Sequence, residues 1–210
     1  RKTLSRMTYQ RFLGRYLLLC GMTGTAAEVM PELRRVYDLE VFKIPTHVPS
    51  KRKRLANRCW ITHAERWHAV AERAVALSLD QKAVLIGTRS VEASELLSGY
   101  FKERNIAHAV LNARQDKEEA ETVAQAGQPG RITIATNMAG RGTDIQLAKE
   151  VSASGGLHVI LTEFHESARV DRQLFGRCAR QGQPGTVEAF VSLEDELFVR
   201  FAPQLRNLAL

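Results

Sequence analysis

Cysteine is scarce in this chain, with Cys20, Cys59 and Cys178 as its three. An odd count without a C-x-x-C pair excludes a disulfide framework and a cysteine-built zinc site, and it fits a reducing compartment. All three read as small buried or half-buried residues. Long apolar runs are missing as well. Stretches such as Tyr16 to Cys20 are far too short to span a bilayer, and no segment has the layout of a signal peptide. The six histidines are scattered, and His165-Glu166 lacks the second histidine that a zincin helix carries four positions on, so no metal site is expected. Internal repeats and low-complexity tracts are absent. Arg1 is not an initiator methionine, so the sequence reads as a piece of a longer protein.

What is present is an ordinary globular composition. The 210 residues, 44% hydrophobic and 25% charged, suffice for one sizeable core or for one core plus an appended fragment. A net charge of +7 favours anionic partners such as nucleic acid, acidic lipid or nucleotide, without choosing among them.

Tyr9 to Leu19 has helical apolar spacing, broken by Gly21-Met22-Thr23-Gly24-Thr25. Ala26 to Tyr37 reads as a second helix that Pro31 complicates. Val41 to Ile44 reads as a short strand, and Pro45 to Arg58 as a loop whose run Lys51-Arg52-Lys53-Arg54 is hydrated rather than gripping phosphate or lipid. From Cys59 onward, short β-rich runs alternate with helical stretches, the cue for βαβ units and a parallel sheet. The strands expected are Cys59 to Thr62, Ala83 to Thr88, His108 to Ala113, Ile132 to Asn137, Leu157 to Thr162 and Val187 to Leu193. Ala64 to Leu79, Val91 to Arg104 and Asp116 to Ala126 are the helices between them, with Ser90 placed to cap the second.

In an open parallel sheet, ligands collect outside the carboxyl ends of the strands. Four polar segments fall there: Gly87 to Ser90, Asn112 to Arg114, Thr136 to Ile145 and Thr162 to Glu166. In the third, Gly140 and Gly142 flank Arg141 and let backbone approach a ligand, and Asp144 brings a carboxylate able to accept from ribose hydroxyls. The alternative is a glycine turn with a surface Arg/Asp pair. Further on, the run DRQLFGRCARQGQPG, Asp171 to Gly185, places Gln173, Gly176, Arg177 and Arg180 on one helical stripe that stops at Gln181. Two guanidinium forks a turn apart suit a multiply charged anion such as a triphosphate, the alternative being a solvated basic helix.

The segments TNMAGRGTDI (Thr136 to Ile145) and QLFGRCARQG (Gln173 to Gly182) resemble the fifth and sixth motifs of the second RecA-like lobe of superfamily 2 motor ATPases. Their wording, with GMTGTA at Gly21 to Ala26, VLIGT at Val84 to Thr88, VLNA at Val110 to Ala113, AQAGQ at Ala124 to Gln128 and SLED at Ser192 to Asp195, is similar to the SecA preprotein translocase ATPases over nearly the whole chain. The Walker A loop is not in this sequence. The resemblance implies a RecA-like α/β fold, an open and mainly parallel sheet with helices on both faces. It implies that residues 1–40 are the tail of a first motor lobe with a connecting helix, and 41–210 the second lobe.

By that resemblance Arg180 is the arginine finger, Arg177 its partner, Asp144 a ribose or coupling contact, and Arg141 and Gln173, with Gly140 and Gly142, members of the network between lobes. It implies ATP with Mg2+ as cofactor, the metal ligands lying in the first lobe, so that this segment alone is inactive. It implies as partners the first lobe, preprotein, a translocation channel and acidic lipid, in a cytoplasmic protein peripheral at a bacterial inner membrane. A nucleic-acid helicase lobe is the alternative, and a non-catalytic module is a third reading. The chain departs from the family pattern at Phe164 and Phe175, where Arg is usual, and at Cys178, Ala179 and Gln183, where Ser, Gly and Asp are usual.

Overall fold

The structure, a computed structural model, describes residues 6–111, 116–136, 139 and 143–205. It divides into two units, residues 1–47 and 48–210.

The first unit is short helices joined by irregular chain. Helix α1 (Tyr9–Leu13) starts at Thr8, whose hydroxyl accepts from the Arg11 N–H at 3.3 Å. It stops at Gly14 rather than running to Leu19, because none of its residues is buried and a short helix without packing does not propagate. Leu17 and Leu18 stand exposed beyond it. The second expected helix is split: a 3-10 turn covers Ala26–Glu28, and α2 (Met30–Tyr37) begins afresh, with Pro31 in its first turn, where a missing N–H breaks no helical bond. Asp38 closes α2 at φ 54°. Val41 to Ile44 is irregular and not the strand expected.

Among the described residues the second unit carries seven strands: β1 (Lys51–Arg54), β2 (Arg58–Trp60), β3 (Val84–Thr88), β4 (Ala109–Leu111), β5 (Ile132–Thr136), β6 (Leu157–Leu161) and β7 (Pro184–Ser192). They form one sheet in the order β1-β7-β6-β3-β5-β4, with β2 also beside β7, and every pairing is parallel. The helices are α3 (His63–Leu79), α4 (Val91–Glu103), α5 (Asp116–Gln125), α6 (Lys149–Ala153), α7 (Ala168–Phe175) and α8 (Glu196–Phe201). This is the expected open, parallel α/β architecture.

The pleat divides the core in two. Val84 and Ile86, Ile132 and Ile134, Ile160 and Phe190 point to one face and meet Val70, Ala74 and Leu77 of α3 and Leu97 and Phe101 of α4. Leu85, Ala135, Leu157, Val159, Leu161, Val187 and Ala189 point to the other and meet Val123, Val151, Leu174 and Phe175. Helices α3 and α4 therefore cover one face and α5, α6 and α7 the opposite one. A capping box starts α3, Thr62 Oγ1 accepting from Glu65 N at 3.2 Å and Glu65 Oε2 from Thr62 N at 2.9 Å.

Strand β1 corrects the loop expected over the basic run. Lys51 to Arg54 pair in register with Pro184 to Val187, and all four side chains are exposed. As the edge of the sheet it buries neither face, so no apolar alternation marks it in the sequence. The cysteines also differ from expectation, for Cys178 is buried but Cys20 and Cys59 are exposed.

Candidate functional site

Strand β3 and the turn after α7 meet on the α7 face of the sheet. On β3, Gly87 lets α7 lie directly on the sheet, since a Cβ there would sit 2.1 Å from Leu174 Cδ2. Helix α7 ends at Phe175 with Gly176 as its cap, which corrects the helix expected to run through Arg180. Leu174, Phe175 and Cys178 are all buried, and their burial draws the chain down onto β7 instead of along a helical axis. Gly185 of β7 makes room, as a Cβ on it would lie 2.8 Å from Ala179 N. Ala179 and Gln181 then take left-handed φ values of 55° and 51°. A left-handed position favours glycine, which accounts for the Gly usual in the resembled family where this chain has Ala179.

Because the helix stops, Gln173, Arg177 and Arg180 do not share one stripe. Gln173 is exposed on α7. Arg177 is buried and turned inward, its Nη2 donating to the Ala139 carbonyl at 2.5 Å. It staples the chain leaving β5 to the end of α7 and is not presented beside Arg180 as a second fork. Arg180 is half-buried: Nε donates to Gly176 O at 2.8 Å and Nη1 to Asp144 Oδ1 at 2.7 Å. Among the described residues no acceptor meets its Nη2. Asp144 is held by Ile145, which is buried in the same core. Gly140, Arg141 and Gly142 lie outside the described residues, as does the polar segment Asn112 to Arg114.

In the sequence several neighbours read only as parts of a hydrated basic run or of the polar loops after the strands. Arg52 of β1 donates through Nη2 to Cys178 O at 3.4 Å, and the Arg54 guanidinium lies 5.8 Å from the Phe175 ring centroid. The basic run is thus adjacent to the Arg180 turn, a proximity created only by the β1–β7 pairing. The His165 ring and N–H contact Asp171 Oδ1 at 2.7 and 3.2 Å, tying the loop after β6 to α7. Arg89 after β3 bridges Glu163 after β6, at 2.8 Å, and Glu196 of α8, at 2.7 Å. Its hydrogen bond to Glu163 holds the guanidinium above its ordinary pKa.

A second, buried Arg/Asp pair closes the ends of β6 and β7. Arg66 of α3 donates through Nη1 to Asp195 and to Thr162 O at 2.9 Å, while Asp195 Oδ2 accepts from Ser192 N at 2.8 Å. Burial lifts the Asp195 carboxyl above its ordinary range, opposed by the Arg66 charge. The signal for this residue was in plain view in the SLED motif. Burial of Glu188 on β7 disfavours its charge, but hydrogen bonds from His158 and Arg73 outweigh that and hold the carboxyl below its usual range.

A SecA P-loop domain model matches residues 49–154 and 146–209, and a SecA DEAD-like domain model matches residues 1–34. The chain belongs to the SecA family. It is 58% identical over 205 residues to protein translocase subunit SecA 2 of Nitrosospira multiformis, covering 98% of this chain and 31% of that protein. It is 52% identical over 205 residues to protein translocase subunit SecA 3 of Magnetococcus marinus, with the same shares covered. The chain thus spans about a third of each of these two proteins. In fold it is similar to the Escherichia coli DEAD-box protein SrmB, with a TM-score of 0.54 at 18% identity over 77% of this chain and 87% of that one. Membership in SecA also frames the departures: Phe164, Phe175, Cys178 and Ala179 belong to or pack against one core cluster, so they change what lies under the Arg180 turn and leave the Arg180–Asp144 contact in place.

Proposed function

We propose that this chain is the second motor lobe of a SecA-like ATPase that couples ATP hydrolysis to preprotein translocation. Residues 1–40 are in this reading the end of the first lobe and a connecting helix, a reading supported by the DEAD-like match over 1–34. The observation that carries the assignment is the match of a SecA P-loop model across 49–209, joined to an Arg180 guanidinium that is half exposed and oriented by Gly176 and Asp144.

The residues fit a nucleotide. Arg180 has a donor edge with no partner among the described residues, and Asp144 is an acceptor of the kind that ribose hydroxyls require. When bound, ATP with Mg2+ supplies the transferable phosphoryl group, the metal being held by residues outside this chain. Arg180 is the finger that stabilises the negative charge spreading in the transition state, an effect of roughly a thousandfold or more in other systems. Arg177 is a positioning residue, fixing the strand exit at Ala139. Gln173, Arg141, Gly140 and Gly142 complete the contacts between lobes. Without the first lobe the chain does not turn over ATP. The partners are that lobe, preprotein, a translocation channel and acidic lipid, and the location is cytoplasmic and peripheral at the membrane; among the described residues no helix is long and apolar enough to cross one.

In the intact parent, Arg180→Ala abolishes ATP turnover but retains nucleotide binding, because the first lobe makes most ground-state phosphate contacts. Undiminished turnover removes the finger. Stimulation of the parent by single-stranded DNA, with none by unfolded preprotein or acidic vesicles, would instead favour the helicase reading.

A further inference from the structure

Arg180 sits in a turn that its own residues do not favour. Ala179 before it and Gln181 after it are left-handed, at φ 55° and 51°, and Gly182 follows at 77°. Residues with a Cβ keep that conformation only where the surroundings hold them in it. These two strained neighbours set the direction in which Arg180 leaves the backbone, so whatever fixes them also sets where the guanidinium can reach.

Residues 48–54, along the edge of the sheet, supply holding contacts from outside the turn. Val48 lies against Gly182, where an added Cβ would come within 3.1 Å of its Cγ1. Arg52 Nη2 donates at 3.4 Å to the Cys178 carbonyl, the peptide that leads into Ala179. Arg54 places its guanidinium 5.8 Å from the ring centroid of Phe175, where α7 ends and the turn begins.

The alternation of the basic run decides which of its side chains take part. Arg52 and Arg54 are in register with Gly185 and Val187, and Val187 belongs to the core under α7. Lys51 and Lys53 are in register with Pro184 and Thr186 and point to the opposite face. Gly185, bare beside Arg52, lets the turn lie close to the strand, since a Cβ there would sit 2.8 Å from Ala179 N and 3.0 Å from Cys178 Cβ. We propose that Arg52 is a positioning residue for Arg180, keeping Ala179 left-handed and the finger aimed by its hydrogen bond to the Cys178 carbonyl. This role rests on the reading of Arg180 as the finger. Arg52 is exposed and reaches the turn from outside, so its loss leaves the core intact.

Two readouts test it. In the intact parent, Arg52→Ala should lower kcat for ATP about tenfold while KM stays within about twofold, because the contact acts on the finger and not on ground-state phosphate binding. Lys53→Ala removes the same charge from the same strand on the other face and should leave both constants unchanged. The second readout needs no nucleotide. In the 210-residue chain carrying Cys20→Ser and Cys59→Ser, alkylation of the buried Cys178 reports opening of the turn. Burial holds that thiol above its ordinary pKa and the Arg52 charge opposes the shift, so removing the charge alone would slow alkylation. Arg52→Ala should instead speed it about tenfold, with Lys53→Ala at the wild-type rate.

Unchanged or slower alkylation in Arg52→Ala overturns the positioning role. So does wild-type turnover in that variant while Arg180→Ala abolishes it, an outcome that leaves the finger standing. An equal loss in Lys53→Ala would make the effect one of charge and overturns the role as well. Full turnover in Arg180→Ala removes the finger and this role with it, even where alkylation is faster.

Discussion

Two arginine–aspartate pairs, built from the same groups, sit in opposite circumstances. Arg66 and Asp195 have side chains 3% and 1% exposed, whereas Arg180 and Asp144 are 40% and 35% exposed. The first pair closes the ends of β6 and β7, where Asp195 also takes the Ser192 N–H and faces His63 Nε2 at 3.1 Å. The second spans two irregular segments, after β5 and after α7. Water decides the difference. A charge only 3% exposed cannot change partner without losing several kcal/mol, so Arg66 belongs to the fold. A guanidinium with an open edge exchanges one anion for another at little cost.

The comparison breaks most visibly at the buried pair. Asp195→Ala should lower unfolding free energy by about 3 to 5 kcal/mol, because Arg66 is left buried without its anion; chemical denaturation measures it, and a loss under about 1 kcal/mol would mean that the pair is not a structural lock. Smaller and dependent on pH is the effect at Glu188. Its folded carboxyl lies below the ordinary range, so its contribution is whole above that range and is lost as pH falls through the folded value. Glu188→Gln should therefore cost about 2 kcal/mol near neutrality, and the gap between wild type and variant should narrow below about pH 4. A gap that stays constant as the solution is acidified contradicts the charge assignment. Least of all, Arg180→Ala should change stability by about 0 to 1 kcal/mol, in the same variant for which the proposed finger role expects loss of the parent's ATP turnover. A large melting shift in that variant would erase the contrast between the two pairs.

The central strands were readable because strands buried on both faces are nearly continuous apolar runs, as in Val84 to Ile86 and Ile132 to Ala135. Helices α3 and α4 were readable from their apolar stripes, and Ser90 caps α4 by accepting from Ala93 N at 3.1 Å. What stayed hidden depended on contacts distant in the chain. Strand β1 exists through its pairing with β7, and α7 stops early because Phe175 and Cys178 find a core. Both Asp144 and Arg180 were singled out from their motifs, but local spacing does not reveal that a 2.7 Å contact joins them. Nor does it reveal that Arg177, a fork of the same type three positions away, is spent on the Ala139 carbonyl.

The cationic rim of the sheet has a further consequence. A parallel sheet that ends on an apolar strand invites another chain to continue it, and growth of that kind leads to fibres. At this edge an incoming strand would have to align beside Lys51, Arg52, Lys53 and Arg54, all exposed. The sequence that disguises this strand as loop thus also guards this edge against stacking on its own kind, and replacing those four side chains with threonine would remove that protection before it altered the fold.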